Sequence, residues 1–465
     1  MEKKIFLVLS AVFFFVIFRW NQQGLAPDAA LYAGLSLKVL QNGEFWKISA
    51  SPNMFPHFFE HPPYFFQWGS QVLSVLGVSD GAARAIGGLP SLLAFLILIS
   101  WTYIRMGQTQ ASICFLMLLS FGHYTKYAAS SYLEGPLSAG VLLALISTYE
   151  WTFQKHSLKM KRALLASACL GSALACASKG IAGLGVWGAI FLMRWIYPKK
   201  LSWSFVVLCL LSAISPMLVW AYKTQPTLES DTWYFMEYLN KQVLRSFTTN
   251  RGSLLHSESG SRWTYVGVIL KYGWPWWWTV PAGIYYWRKN GSQYPLITKN
   301  FGPWIVLSLL CFFSFFIPFS LSHFQLPHYL HPVYLPLAPI GAYFLAEIIP
   351  KKYISIITHP ALRWGLLLIF IILNFTVIKN LSSSANRGQE FIAVANPVNS
   401  LNSICTLYVS EKDIDLYRME SFSSWYFKNR NWKYITQDDH FEQLNNYIIW
   451  DPKTNSLQTQ NCPTN

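Results

Sequence analysis

Long apolar segments constrain this chain more than any other feature of its sequence. A helix that crosses a hydrocarbon core of about 30 Å needs roughly 20 mostly apolar residues. Segments of about that length recur along the chain, at 5–20, 83–104, 109–124, 136–153, 163–178, 181–197, 203–222, 263–287, 301–321, 330–349 and 363–379. Only 12% of the residues are charged and 53% are hydrophobic, which excludes an ordinary soluble protein. The sequence predicts a polytopic α-helical membrane protein with about 11 transmembrane helices.

Basic residues cluster in the connections between these segments. The clusters are EKK at 2–4, Arg105, KHSLKMKR at 155–162, YPKK at 197–200, RKN at 288–290 and PKK at 350–352. They fall on alternate sides of the apolar segments, and the positive-inside rule makes those sides cytoplasmic. We therefore expect the long loops 21–82 and 223–262 and the C-terminal tail to lie outside the cytoplasm. The net charge of +15 does not indicate nucleic-acid binding, because much of it lies in short loops rather than on one soluble face.

The two ends of the chain differ from its apolar middle. Segment 5–20 lacks a small-residue cleavage site, which favours an uncleaved first helix over a signal peptide. Beyond about residue 380, SICTLYVS, WKYIT and YIIWD predict strands, while DIDLYRMESFSSWYF and DHFEQLNN predict helices. We expect a transmembrane domain over 1–379 and a small extracytoplasmic α/β domain over 380–465. In the first long loop, PPYFFQWGSQVLSVLGV suits an amphipathic helix in the membrane interface.

The seven cysteines give no metal-binding pattern. Most of them lie in predicted spans, where a thiol is usually a small packing residue. Cys405 and Cys462 lie in the tail and could pair in an oxidising compartment, so their disulfide stays open. No spacing predicts a zinc or haem site, no cofactor is indicated, and a divalent cation stays possible.

Isolated polar residues recur where the predicted spans reach the external face. Asp28 follows the first span, Glu60 and His61 begin the interfacial segment, Glu134 lies between the third and fourth spans, and Lys179 lies between the fifth and sixth. Gln325 and His328 lie between the ninth and tenth spans. Ionisable groups at this depth are costly, and they are often functional. Their common side of the bilayer indicates one external site.

The motifs around these residues resemble a known family. They are PDAALYA at 27–33, EHPP at 60–63, YLEGP at 132–136, SKG at 178–180, YGWPWWW at 272–278 and FSLSHFQLPHYLHPVYLPLA at 319–338. Together, over about residues 5–350, they resemble the bacterial glycosyltransferase family 39 group, which includes the lipid A aminoarabinose transferases and is related to protein O-mannosyltransferases. The resemblance implies a type C glycosyltransferase fold, a polyprenyl-phosphate sugar donor, and the first-loop acid, Asp28, as catalytic base.

The chain also departs from the family's pattern. Ala29 and Leu31 stand where members often carry a second acid and an arginine, and His61 and Gln325 stand where lysines are usual. Arg245, in KQVLRSF, occupies a place where the family often has a basic residue. The resulting assignments are catalytic roles for Asp28, Glu134 and Glu60, and substrate-binding roles for His61, Lys179, Arg245, Gln325, His328 and Tyr329, with no metal ligand.

The chemistry of such a transfer requires these residue types, whatever the family. A polyprenyl phosphate is a competent leaving group, so the enzyme must deprotonate the acceptor hydroxyl and stabilise charge on the departing phosphate. A carboxylate near the membrane interface is partly desolvated, which raises its basicity. Arg or Lys pairs with the phosphate.

Each assignment has a structural alternative. Asp28 could be only a helix N-cap, and Glu60 and Glu134 could be partners of Lys126 or Arg84. Lys179 could snorkel at a helix end, and His328 and Tyr329 could satisfy backbone groups in a broken helix.

The overall function has alternatives as well. A transporter of a lipid-linked or small substrate would hold its charges near the midplane, often in repeated halves, and an envelope scaffold would not explain the acids. The preferred interpretation is a multi-pass glycosyltransferase of the bacterial inner membrane, facing the periplasm or exterior. Its partners are a polyprenyl-phosphate sugar, membrane lipids, and a lipid A, glycolipid, protein or polysaccharide acceptor.

Overall fold

The computed structural model of the protein describes most of the predicted membrane region and parts of the tail. The described residues are 24–49, 57–128, 130–226, 233–248, 263–272, 276–290, 295–322, 325–349, 391, 406–410, 416–426, 432–435, 447–451 and 456–460. The predicted spans 5–20 and 363–379, the predicted helix DHFEQLNN, Cys405 and Cys462 lie outside them.

The described chain is mainly helical. The helices are α1 (Pro27–Asn42), α2 (Tyr64–Leu76), α3 (Asp80–Met106), α4 (Gln108–Ser120), α5 (Gly122–Ala128), α6 (Glu134–Phe153), α7 (Leu158–Lys179), α8 (Leu184–Ile196), α9 (Trp203–Lys223), α10 (Tyr234–Glu237), α11 (Arg245–Thr248), α12 (Thr264–Tyr272), α13 (Trp276–Asn290), α14 (Pro295–Leu321) and α15 (His331–Ile348). A 3₁₀ turn, Gly180–Gly183, joins α7 to α8, a second, Pro327–Leu330, precedes α15, and a π-helix, Tyr238–Leu244, joins α10 to α11.

Predicted spans and helices agree in most places. Among the described residues, four stretches are long and apolar enough to cross a membrane: Asp80–Met106, Leu158–Ile196, Trp203–Lys223 and Phe301–Leu321. Two predicted spans were wrong in their continuity. The span 109–124 ends at Ser120, and the polar GHYTKYA sequence forms the separate helix α5. The span 263–287 is divided between α12 and α13, with Gly273 and Pro275, two poor helix formers, in the sequence between them.

Small residues set the register between α6 and α7. A Cβ on Gly140 would lie 2.7 Å from the backbone of Ala175, and a Cβ on Gly171 would lie 2.6 Å from the backbone of Ala144. This reciprocal contact of two small-xxx-small pairs lets antiparallel helices approach closely inside a membrane. The same register places Glu134, at the start of α6, level with the 3₁₀ turn that follows Lys179.

The two largest apolar cores of the described residues lie around this helix pair. The larger one combines α3, α4, α6, α8, α14 and α15, with Trp304 and Phe315 fully buried. The second combines α1, α2 and the start of α3 with a C-terminal helix, α16 (Leu416–Tyr426), through Phe422 and Trp425.

The tail also contains a four-stranded sheet. Its strands are β1 (Thr406–Ser410), β2 (Trp432–Ile435), β3 (Tyr447–Asp451) and β4 (Ser456–Gln460), in the order β2-β1-β3-β4. The central strand β1 pairs in parallel with β2 and β3, and β4 closes the sheet antiparallel to β3. The strands predicted in SICTLYVS, WKYIT and YIIWD and the helix predicted in DIDLYRMESFSSWYF are confirmed. The polar strand β4 was not predicted.

Candidate active site

A buried ion pair stands at the centre of the site. Lys179 ends α7 and Glu134 begins α6, and the α6–α7 register brings the ammonium of Lys179 into contact with Oε1 of Glu134. The two side chains are only 5% and 1% exposed. Among the described residues, the second oxygen, Oε2 of Glu134, is buried without a hydrogen-bond partner. One acceptor of the carboxylate is therefore unused by the described residues.

The 3₁₀ turn before α15 completes this polar centre. Nε2 of His328 lies 3.7 Å from Oε1 of Glu134, and Nζ of Lys179 lies 4.0 Å from the centre of the Tyr329 ring. Nearby, Nδ1 of His331, the first residue of α15, is hydrogen-bonded at 2.9 Å to Oγ of Ser138, one turn after Glu134 in α6. This second contact fixes the turn against α6.

The environment of His328 favours its neutral form. Burial lowers the pKa of His328 well below its usual value, and the positive charges of Lys179, His331 and Lys126 lower it further. The imidazole is therefore uncharged at neutral pH. The Lys179 side chain is instead paired with the Glu134 carboxylate.

The three predicted acids converge on one tyrosine. The Tyr32 hydroxyl, on α1, is hydrogen-bonded to Nε2 of His61 at 3.1 Å. Burial raises the pKa of Tyr32 well above its usual value, and the negative charges of Asp28, Glu134 and Glu60 raise it further. Asp28, Glu60 and Glu134 therefore lie close enough to act electrostatically on the same hydroxyl.

Asp28 is not a helix N-cap, so that alternative was wrong. Helix α1 begins at Pro27 with Ala26 as its N-cap residue, and no side chain caps it. Asp28 lies in the first turn and is half-buried. A carboxylate there is stabilised by the positive end of the helix dipole.

A cavity of about 590 Å³ opens beside the ion pair. Glu60, His61, Lys179 and Tyr329 form its polar end. The rest is mainly apolar and runs between α8 and α14; it is lined by Leu184, Trp187, Gly188, Leu192, Phe313, Phe315, Ile317, Pro318 and Phe319. Gln242, Val243, Ser246 and Phe247, from the π-helix and α11, cover it.

The other predicted site residues lie elsewhere. Arg245 is exposed and does not line this cavity, although its neighbours Gln242 and Ser246 do. Gln325 also does not line it; its side-chain amide donates to the carbonyl oxygens of Ser320 and Ser322, both at 3.0 Å. It closes the end of α14. Asp28, Glu134 and His328 do not line the cavity either, but all three interact electrostatically with Lys179, which does.

Two further structural alternatives were wrong, and one residue was missed. Lys179 is ion-paired and buried rather than snorkelling, and Glu134 pairs with Lys179 rather than with Lys126 or Arg84. The missed residue is Tyr238 of the π-helix, whose hydroxyl accepts a hydrogen bond from the Ile181 N–H at 2.8 Å. No local pattern in the loop 223–262 singles it out, because its partner lies far away in the sequence.

No metal-binding cluster is found in the part of the chain that the structure describes. There, no group of three or more His, Cys, Asp or Glu side chains is arranged to hold an ion.

Comparison of sequences identifies relatives over part of their length. No family model matches the chain. It is 23% identical over 334 residues to the undecaprenyl phosphate-alpha-4-amino-4-deoxy-L-arabinose arabinosyl transferase of Erwinia tasmaniensis, and 27% identical over 336 residues to transferase 1 of the same name from Pseudomonas fluorescens. The matches cover 68% and 67% of this chain but only 54% of each relative, about half their length. The resemblance to aminoarabinose transferases predicted from the motifs is confirmed.

Comparison of structures identifies the fold. ArnT from Cupriavidus metallidurans bound to undecaprenyl phosphate superposes with a TM-score of 0.70 at 16% identity, covering 94% of this chain and 86% of ArnT. The Archaeoglobus fulgidus oligosaccharyltransferase in the apo form superposes with a TM-score of 0.58 at 13% identity, covering 92% of this chain and 64% of that one. The chain has the type C glycosyltransferase fold that its motifs predict.

Proposed function

We propose that the protein is an integral membrane glycosyltransferase that moves a sugar from a polyprenyl-phosphate donor to an extracytoplasmic acceptor. The observation that carries this proposal is the position of Lys179. Its buried ammonium stands at the polar end of a mainly apolar cavity. A polyprenyl phosphate has the matching form, with an anionic head on a long apolar tail.

The cavity accounts for both parts of such a donor. The aromatic and aliphatic side chains between α8 and α14 offer the tail an apolar surface, and burying apolar surface is favourable in proportion to its area. Lys179 and Tyr329 meet the head group. As the sugar leaves, negative charge grows on the phosphate, and a cation held out of water stabilises that charge more strongly than an exposed one.

Asp28 supplies the base in this proposal. Its carboxylate takes the proton of the acceptor hydroxyl while the hydroxyl oxygen attacks the anomeric carbon of the sugar. The bond between that carbon and the phosphate oxygen breaks, and the polyprenyl phosphate leaves with the electron pair. Glu60 and Glu134, which act on the same tyrosine as Asp28, orient the sugar or the acceptor.

The names of the relatives suggest which donor to test first. Their names specify undecaprenyl phosphate and 4-amino-4-deoxy-L-arabinose, so this donor is the first to test. The acceptor is proposed to be a hydroxyl or phosphate group of lipid A, another glycolipid, a protein or a polysaccharide. We place the protein in the bacterial inner membrane with this site and the tail facing the periplasm or exterior.

The direct test is donor turnover by purified protein in detergent. A panel of undecaprenyl-phosphate sugars, beginning with 4-amino-4-deoxy-L-arabinose, is incubated with lipid A, glycolipid, peptide or polysaccharide acceptors, and released undecaprenyl phosphate is measured by mass spectrometry. Asp28→Asn should lower turnover by about 10²–10⁴-fold, the usual contribution of a general base. Glu44→Gln, an exposed acid beyond the end of α1, is the matched control and should leave turnover unchanged.

Two results would count against the proposal. Release from no donor with any acceptor would remove the transferase activity and favour a transporter, which moves its substrate without cleaving it. An Asp28→Asn variant that keeps more than about a tenth of the rate would place the base elsewhere, because a general base normally contributes more than that.

A further inference from the structure

Three side chains hold the backbone just before α1. The N–H of Gly24 donates to Oδ2 of Asp80 at 2.7 Å, and the N–H of Leu25 donates to the Tyr426 hydroxyl at 3.1 Å. The guanidinium of Arg84 donates to the carbonyl oxygen of Gly24. These contacts fix the segment that leads directly into the first turn of α1.

Asp80 connects this segment to the C-terminal helix α16. While Oδ2 of Asp80 accepts from Gly24, its Oδ1 accepts from Nε1 of Trp425 at 2.8 Å. Trp425 and Tyr426 are only 3% and 8% exposed. Hydrogen bonds shielded from water in this way are stronger than exposed ones.

Helix α16 also packs closely along α1. A Cβ on Gly34 would overlap Oγ of Ser424, so the two helices approach to a distance that only glycine allows at this position. Phe422, fully buried, joins the apolar core formed by α1 and α2. The C-terminal helix thus contacts the segment just before α1 and also packs along α1 itself.

We infer that Tyr426, Trp425 and Asp80 are positioning residues for Asp28, so that the C-terminal helix forms part of the catalytic apparatus. Leu25 precedes Asp28 by less than one helical turn, and the first turn of α1 has no side-chain cap of its own. The orientation of that turn therefore depends on the contacts with Asp80 and Tyr426. This inference rests on the proposed role of Asp28 as base.

The test removes one hydroxyl and leaves the ring in place. Tyr426→Phe should lower kcat about 10- to 100-fold, because a misplacement of about 1 Å can cost about 10²-fold, while the KM for undecaprenyl-phosphate 4-amino-4-deoxy-L-arabinose stays unchanged. Hydrogen exchange of the amides of residues 25–32 should become faster. Tyr149→Phe is the matched control: Tyr149 accepts a hydrogen bond from Gln154 about 22 Å along α6 from Glu134, and its loss should change neither measurement.

A double-mutant cycle separates positioning from general stability. If Tyr426 acts through Asp28, Tyr426→Phe should lower kcat in the wild-type background and have no further effect on kcat in an Asp28→Asn background. An equal loss in both backgrounds would overturn the inference, and so would a Tyr426→Phe variant with wild-type kcat and wild-type exchange at 25–32.

The two proposals fail differently. Wild-type turnover that Asp28→Asn leaves intact would refute the role of Asp28, and no turnover with any donor would refute the transferase function. In both cases the exchange rates at 25–32 still decide whether α16 holds the start of α1, and unchanged exchange in Tyr426→Phe would refute that part on its own.

Discussion

Replacing Lys179 by methionine separates its two contributions, to stability and to ligand binding. Methionine keeps most of the side-chain volume and removes the charge. The carboxylate of Glu134, 1% exposed, would then remain buried without its cation, with the uncharged His328 3.7 Å away. Leaving one member of a buried pair uncompensated costs about 3–5 kcal/mol, so we expect Lys179→Met to unfold much more readily than the wild type.

The double variant Lys179→Met/Glu134→Gln should recover most of that stability. It removes both charges together and leaves an amide with incomplete hydrogen bonding, at a cost of about 1–2 kcal/mol. Donor binding should not recover, because the phosphate still lacks its cation. The loss of one charge-assisted contact of about 1.5–3 kcal/mol corresponds to an affinity for undecaprenyl phosphate about 10- to 150-fold weaker.

Two assays on the same detergent preparations measure these effects. Titration with a denaturing detergent gives the order of stability, and native mass spectrometry with undecaprenyl phosphate gives the affinity. The expected order of stability is wild type, double variant, Lys179→Met, while both variants bind the lipid more weakly than the wild type does. Wild-type affinity in the double variant would show that Lys179 is purely structural, and a double variant as unstable as the single one would refute the argument from the buried pair.

Three further changes test other parts of the site. The pKa of His328 is depressed in the folded chain, so below about pH 6.5 the unfolded chain binds a proton that the folded chain does not. The free energy of unfolding should therefore fall by up to about 1.4 kcal/mol for each pH unit of acidification. His328→Gln should remove that slope from a plot of unfolding free energy against pH between 5 and 8. Gly188→Leu narrows the apolar part of the cavity, and overpacking of this kind costs about 1–3 kcal/mol. It should weaken the binding of undecaprenyl phosphate about 10-fold and the binding of the shorter farnesyl phosphate less. Equal losses for both lipids would contradict the placement of the tail. Gly180 has a φ of +58° and lies against the Tyr238 hydroxyl, so Gly180→Ala should cost about 1–3 kcal/mol of stability, and a melting midpoint no lower than that of Gly188→Ala would refute it.

Features carried by local patterns could be predicted from the sequence. Apolar length placed most of the helices from 83 to 349, since a helix satisfies its own backbone hydrogen bonds inside a membrane. The predicted spans 109–124 and 263–287 are each divided between two helices. Short β-branched and aromatic runs placed β1, β2 and β3. The failures came where local signals are weak: β4 is polar, and the π-helix Tyr238–Leu244 lies in a loop with no clear periodicity.

Contacts between distant segments could not be predicted in the same way. The acids of the site and Lys179 were visible in the sequence as isolated charges, but the partner of Glu134 depends on the glycine contacts between α6 and α7. Arg245 is exposed and does not line the cavity, because a position inferred from a motif does not fix the direction of a side chain in a short helix. Tyr426 lies about 400 residues from Leu25, and only the folded chain brings them together.

Lys179 has two anionic partners to satisfy in the proposed reaction, the Glu134 carboxylate and the donor phosphate. The Lys179–Glu134 pair is neutral as a whole, so an incoming phosphate must share the ammonium with Oε1 of Glu134. The second oxygen, Oε2, is buried without a partner among the described residues. Glu134 does not line the cavity, so its side chain would have to turn toward the cavity before Oε2 could accept from a group on the donor sugar. A protonated amine would bind it more strongly than a hydroxyl would, because charge-assisted hydrogen bonds are about twice as strong as neutral ones. Glu134 would then hold Lys179 through one oxygen and select an amino sugar through the other. A Glu134→Gln variant that discriminates between amino and hydroxy sugars as well as the wild type does would refute this division of roles.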